Sequence, residues 1–254
     1  DYGVHTARAA ENFPITGTLL RHYPELIQSL AMTKKAAALA NRDLGVLAPD
    51  IANAITAACD TLIAGDNHRH FIVDMLQGGA GTSTNMNANE VIANMALAKL
   101  GKQRGRYNIV NPNDHVNLSQ STNDVYPTAV RLTMLRECPA LVASQVALRE
   151  SLQRKAVEFD DIIKVGRTQL MDAVPMRLGS EFRAFGVTVG EDIDRLKEFS
   201  TLLREINLGG TAIGTGINTP ANYSRVAIRH LSVISGVDLV AAGDMIEATS
   251  DMGA

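Results

Sequence analysis

The chain has 254 residues, 46 % of them hydrophobic and 20 % charged, with a formal net charge of −3 at pH 7. That length suits one or two domains with a sizeable core. With no basic run and no apolar run of roughly 18 residues, the chain gives no sign of a nucleic-acid or membrane partner.

Trp is absent and aromatics make up 4 % of the residues, while Ala, Leu and Met abound, so the composition leans helical. Cys59 and Cys138 fit no metal spacing and read as buried thiols in a reducing, cytoplasmic compartment. In chain order, a mixed polar segment with turn signals at Gly17 and Pro24 comes first, with Arg8 and Asn12 spaced to share a helical face. An amphipathic helix is expected over 25–44, closed by Gly45. A second is expected over 49–63, with Pro49 in its first turn and Gly65 after its end. His68-Arg69-His70 has no third ligand near it in sequence and reads as a solvated loop.

Two stretches are rich in small polar donors. The first, Gly78-Gly79-Ala80-Gly81-Thr82-Ser83, lets the backbone approach a ligand closely but lacks both the P-loop and the dinucleotide-turn spacing. Thr82, Ser83, Asn85 and Asn87 follow, ahead of a helix expected from about Asn89 to Leu100. The second stretch, NPNDHVNLSQSTNDVYP at 111–127, shows no hydrophobic period. Ser121-Thr122-Asn123 should stand just before a helix whose first turn holds Pro127. Hydroxyl and amide donors at a helix N-terminus favour a carboxylate or phosphate, so the two stretches predict one small anion pocket.

Beyond Pro127, a helix is expected over 128–158, kinked or interrupted at Pro139. A polar turn at 164–169 should lead to a helix over 175–206, with Asp172 and Pro175 at its start. Phe182, Val189, Leu196 and Leu203 recur every seven residues there, with Phe185, Ile193, Phe199 and Ile206 between them. Gly186 and Gly190 each cost roughly 1 kcal/mol against Ala in a helix, which close approach of a neighbouring helix would offset. Such a helix points to a long bundle extended across subunits. GGTAIGTG at 209–216 reads as a tight connector, followed by a helix over 220–235 and another beginning at Asp244. With no initiator Met and an end in mid-element, the sequence reads as a fragment.

The motifs YGVHTARAAENF, GGAGTSTNMNANE, NPNDHVNLSQSTND and GRTQLMDAVP, in that order, closely resemble the aspartase/fumarase superfamily, and its aspartase branch in particular. The resemblance runs from Tyr2 to Ala254. Fumarases carry His where this sequence has Gln169, and Gly-Ser-Gly-Thr where it has Gly79-Ala80-Gly81-Thr82; some aspartases also carry that His.

The resemblance implies a mainly α fold, with residues 1–118 as an N-terminal helical domain and 119–254 as the first part of a central helical bundle. It implies reversible deamination of L-aspartate to fumarate and ammonia, with a class II fumarase-like hydratase or a non-catalytic helical scaffold as alternatives. Thr82, Ser121 and Thr122 match residues that hold the carboxylate becoming an enediolate, and Asn123 matches one near the leaving amine. Thr168 matches a contact to the other carboxylate, with Gln169 beside it on the amine side. Asn111, Asn113 and Asp114 match a second, peripheral anion site, for which turn formation is the competing reading. The family's base, a Ser on a Gly-Ser-Ser loop, and the Met-Pro-x-Lys-x-Asn-Pro motif after it do not occur, so no catalytic residue is identified. Also implied are a homotetramer with sites shared between subunits, no required cofactor, and activation by a divalent metal such as Mg at a site the sequence does not locate.

Overall fold

The computed structural model describes residues 1–77 and 79–251; Gly78 of the glycine-rich stretch, and Met252, Gly253 and Ala254, lie outside the described residues. The fold is mainly α. Contacts divide the chain into two compact units, one of residues 1–133 and 203–254 and the other of residues 134–202.

In the first unit, α1 (Val4–Asn12) precedes α2 (Pro24–Asp43) and α3 (Pro49–Ile63). Both of the latter open on a proline, and Gly45 and Gly65 follow their ends at φ +74° and +98°. The predicted α2 stripe is buried: Leu26, Ile27, Leu30, Ala31, Ala37 and Ala38 pack inward. This helix packs on α3 and on α7 (Tyr223–Ser235). Fully burying a Leu or Ile side chain contributes about 1.5–3 kcal/mol each, so this interface holds the unit together. The N-terminus of α1 has no side-chain cap of its own. Glu90, buried on α4 (Thr82–Lys99), supplies one by accepting from the amides of Gly3, His5 and Thr6 and from the Thr6 hydroxyl.

Several expectations are corrected. Helix α4 begins at Thr82 rather than near Asn89, because Gly81 turns the chain at φ +88° and lets the polar run enter the helix. His68 and His70 are not freely solvated: the ring of His68 bonds the Leu62 carbonyl at 2.8 Å and that of His70 the Asp1 amine at 2.9 Å. The helix at Pro127, α5 (Thr122–Glu158), starts at Thr122, so Pro127 lies in its second turn, and it passes uninterrupted through Pro139. Helix α7 starts at Tyr223 rather than Pro220.

The second unit corrects the helix expected from Pro175. Strands β1 (Ile163–Thr168) and β2 (Met171–Arg177) form an antiparallel hairpin in which Pro175 lies opposite Val165. A two-stranded sheet is all edge, where a proline is tolerated. Gln169 and Leu170 form the turn, and Gln169 takes the left-handed conformation at φ +54°. Helix α6 (Leu178–Leu202) then returns antiparallel to α5. A Cβ on Gly186 would sit 3.6 Å from Gln153 and Leu152, and one on Gly190 3.6 Å from Arg149, so these glycines do admit the neighbouring helix. Along the heptad stripe Ile193 is buried, Phe182, Val189 and Leu196 are partly buried, and Phe185 and Phe199 are exposed.

In the first unit, Glu205 and Ile206 form β3 (Glu205–Ile206), parallel to β4 (Val240–Ala241), instead of extending the helix. Leu203 and Ile206 are buried as their period requires, yet Ile206 takes strand conformation because its ladder partner is 35 residues away (Ala241). Helix α8 (Met245–Ser250) starts where expected, with the Asp244 carboxylate accepting from the Ile246 and Glu247 amides.

Candidate active site

Two helix N-termini meet in the first unit. At the start of α4, Gly81 lies directly under the Tyr126 ring of α5, where an added Cβ would be 2.6 Å from the ring carbons. One turn along α4, the Asn85 amide donates to the Thr122 hydroxyl at 3.1 Å. Thr82 is therefore brought to the same place as Ser121, Thr122 and Asn123. The Thr82 hydroxyl donates to the Gly79 carbonyl at 2.8 Å, and the Ser121 hydroxyl accepts from the Asn123 amide at 3.3 Å. Two positive dipole ends at one spot, with short hydroxyl side chains beside them, suit an anion.

Asp124 ties this corner to the 209–216 connector. Its fully buried carboxylate accepts from the Ser121 amide at 2.9 Å and from the Gly209 and Thr211 amides at 3.0 Å. Burial pushes its pKa up, while those amides and the Lys34 charge pull it down. The connector in turn orients Asn123, whose Nδ2 donates to the Ala212 carbonyl at 2.8 Å, so that its Oδ1 is left to accept from a ligand. GGTAIGTG is thus a connector, as read, and also one wall of the site.

Backbone strain gathers here. Ser119, Thr211 and Asn218 take φ of +61°, +59° and +66°, the middle one a β-branched residue for which this region is costly. They line a polar depression of about 350 Å³ together with Asn113, Asp114 and Ser121. Asn111 lies outside that lining and makes a turn: its Oδ1 accepts from the amides of Asn113 at 2.7 Å and Asp114 at 3.1 Å. Thr168 and Gln169 stand at the hairpin tip of the second unit, where Thr168 pairs with Met171.

Beneath the corner lies a buried network that the sequence did not signal. Lys34 is fully buried, and its Nζ donates to Asn117 Oδ1 at 2.8 Å and Gln120 Oε1 at 2.9 Å. Burial lowers its pKa to about 7 against the raising influence of Asp124 and Cys59. Burial likewise pushes the Cys59 thiol up to about 12. Lys34 belongs to an ordinary-looking Lys-Lys pair on an alanine-rich helix, so nothing local distinguishes it from a surface lysine.

A family model described as "Lyase" matches residues 2–254. Aspartate ammonia-lyase of Pseudomonas fluorescens is 57 % identical over the whole chain, which spans 53 % of that protein. The Escherichia coli K12 enzyme of the same name is 52 % identical, again over the whole chain and 53 % of its own length. A cobalt-bound crystal structure described as fumarate lyase:delta crystallin from Brucella melitensis is 53 % identical at a TM-score of 0.92, covering 98 % of this chain and 54 % of that one. Class II fumarase from Schistosoma mansoni is 33 % identical at a TM-score of 0.86, covering 97 % of this chain and 55 % of that one. The chain thus spans about half the length of the relatives it matches. With the family model matching from Tyr2 to the last residue, the chain belongs to this lyase family, the one of the aspartases and class II fumarases.

Proposed function

We propose that this chain forms the substrate-carboxylate half of an aspartate ammonia-lyase, which converts L-aspartate reversibly to fumarate and ammonia. The observation that carries the reading is the convergence of the α4 and α5 N-termini, which gathers Thr82, Ser121, Thr122 and Asn123 at one corner. Relatives named aspartate ammonia-lyase at 52–57 % identity support the same substrate.

In this reading a base takes the Cβ proton and the adjacent carboxylate becomes a doubly negative enediolate, which then collapses to fumarate as the C–N bond breaks and ammonia leaves. Thr82, Ser121 and Thr122 face that carboxylate. Donors already in place act mainly on the transition state, where losing one typically costs about 3 kcal/mol. Asn123 Oδ1 accepts from the departing amine. Thr168 holds the second carboxylate with Gln169 on the amine side, in sites assembled from several subunits of a homotetramer. The base comes from residues outside those assigned here. Residues 1–118 serve as the N-terminal domain and 119–254 as part of the bundle.

No organic cofactor enters the reaction. Among the described residues no group of three or more His, Cys, Asp or Glu is arranged to hold a metal ion. Nor is any described helix long and apolar enough to cross a membrane.

The test is ammonia release and fumarate formation from L-aspartate by the full-length protein. Neither malate from fumarate nor any turnover by the 254-residue chain alone is expected, because general-base catalysis typically contributes about 10² to 10⁴-fold. Malate at a comparable rate would move the assignment to a hydratase. Neither activity in the full-length protein would leave the scaffold reading.

A further inference from the structure

Lys34 Nζ donates to Asn117 Oδ1 and Gln120 Oε1, and those two donations set the direction of the bonds that follow from them. Asn117 must turn its Oδ1 to Lys34 Nζ, and its Nδ2 then donates to the Gln120 carbonyl at 3.3 Å. Asn117 Oδ1 also accepts from Asn85 Nδ2 at 3.1 Å and Asn89 Nδ2 at 3.3 Å. With its Nδ2 so committed, Asn85 donates its other N–H to Thr122 Oγ1 at 3.1 Å. The Thr122 hydroxyl is thereby an acceptor on its inner side, and its single hydrogen is left to point outward.

The arrangement has a cost: Asn85 Oδ1 and Asn89 Oδ1 are buried with no hydrogen-bond partner among the described residues. An apolar residue at position 34 would not impose that orientation, and it would leave Gln120 Oε1 without its donor.

We propose that Lys34 is a positioning residue for anion recognition, setting the polarity of the Asn117–Asn85 relay so that the Thr122 hydroxyl donates to the ligand carboxylate. This rests on the reading of Thr122 as a carboxylate-binding residue. Lys34 itself touches no ligand. It acts through two amides and one hydroxyl.

The experiment uses the full-length enzyme with succinate, an unreactive dicarboxylate, as competitive inhibitor of aspartate deamination. Thr122→Val should raise the succinate Ki about ten- to hundredfold, as expected for losing a hydrogen bond to a charged group. Asn85→Leu and Lys34→Met should each raise it several-fold alone. Either change should add less than about twofold when Thr122 is already Val, because a relay ending at that hydroxyl has nothing left to orient. Equal effects in both backgrounds would overturn the proposal and leave the network a packing element. Should Lys34→Met fail to fold, the Asn85→Leu cycle decides by the same criterion. If succinate fails to inhibit, or Thr122→Val leaves its Ki unchanged, the carboxylate site itself is refuted and this inference with it. Coupling lost only at Asn85 or Lys34 refutes the relay alone.

Discussion

Gly81 is where one missing methyl group decides the geometry of the site. It lies at φ +88° with the Tyr126 ring 2.6 Å from where a Cβ would be, so both conformation and space demand glycine. Gly45, at φ +74° with nothing within 4 Å of its would-be Cβ, is the natural comparison. Gly45→Ala should cost about 1–2 kcal/mol, the penalty of the left-handed region alone. Gly81→Ala should cost more, because the ring must also move, and it should weaken dicarboxylate binding as the α4 N-terminus shifts. Denaturation midpoints and succinate affinity measure both. Equal losses of stability would mean the ring has room to give. A different economy operates at Asp74, whose carboxylate is pushed up by burial. Hydrogen bonds from Thr16, Gly17 and Leu76 outweigh this and hold its pKa to about 2, fixing the loop ahead of α4.

At the scale of elements, α5 tolerates a proline in its second turn because another residue does the work of the missing amide. Pro127 leaves the Asn123 carbonyl without its helical donor, and Asn207 Nδ2 takes that place at 3.0 Å. Asn207→Ala should therefore destabilise by about 1–3 kcal/mol through the unpaired carbonyl. Adding Pro127→Ala should recover part of the loss, since the restored amide can donate to the same oxygen. In the parent chain, Pro127→Ala should give no such gain. Urea denaturation of the four variants measures the coupling; strict additivity would mean the two donors do not compete for one acceptor. In the second unit, Gly179 lets the hairpin enter α6, for a Cβ there would meet the Ala156 carbonyl and the Asp160 backbone.

For the molecule as a whole, the apolar surface of the second unit exceeds what a monomer needs. Leu148 of α5 is 51 % exposed, Phe185 of α6 51 % and Leu170 at the hairpin tip 93 %. Large apolar side chains exposed in this number mark an interface or a tendency to aggregate. The purified 254-residue chain should therefore self-associate with rising concentration, as read by sedimentation or light scattering. Leu148→Glu combined with Phe185→Glu should shift it toward smaller species while helical content stays the same. A chain that remains monomeric at high concentration with both residues intact would contradict this.

Taken alone, the sequence determined what depends on neighbours a few residues apart. Proline at the starts of α2 and α3, glycine after their ends and apolar residues at threes and fours placed both helices almost to the residue. The donor-rich stretches at 78–87 and 111–124 were equally visible, because short polar side chains in that density have few other uses. The same local logic misread the 163–177 hairpin, since Asp172 and Pro175 serve as helix-start signals or as residues of an edge strand equally well. Tertiary structure alone brought Asn85 of α4 onto Thr122, turned the 209–216 connector onto Asp124, and placed Lys34 under the corner. Asp124 finds its connector amides 85 and 87 residues away, and Lys34 its amide oxygens 83 and 86 residues away. A buried polar group must find a partner wherever the folded chain offers one, and no period in the sequence records that distance.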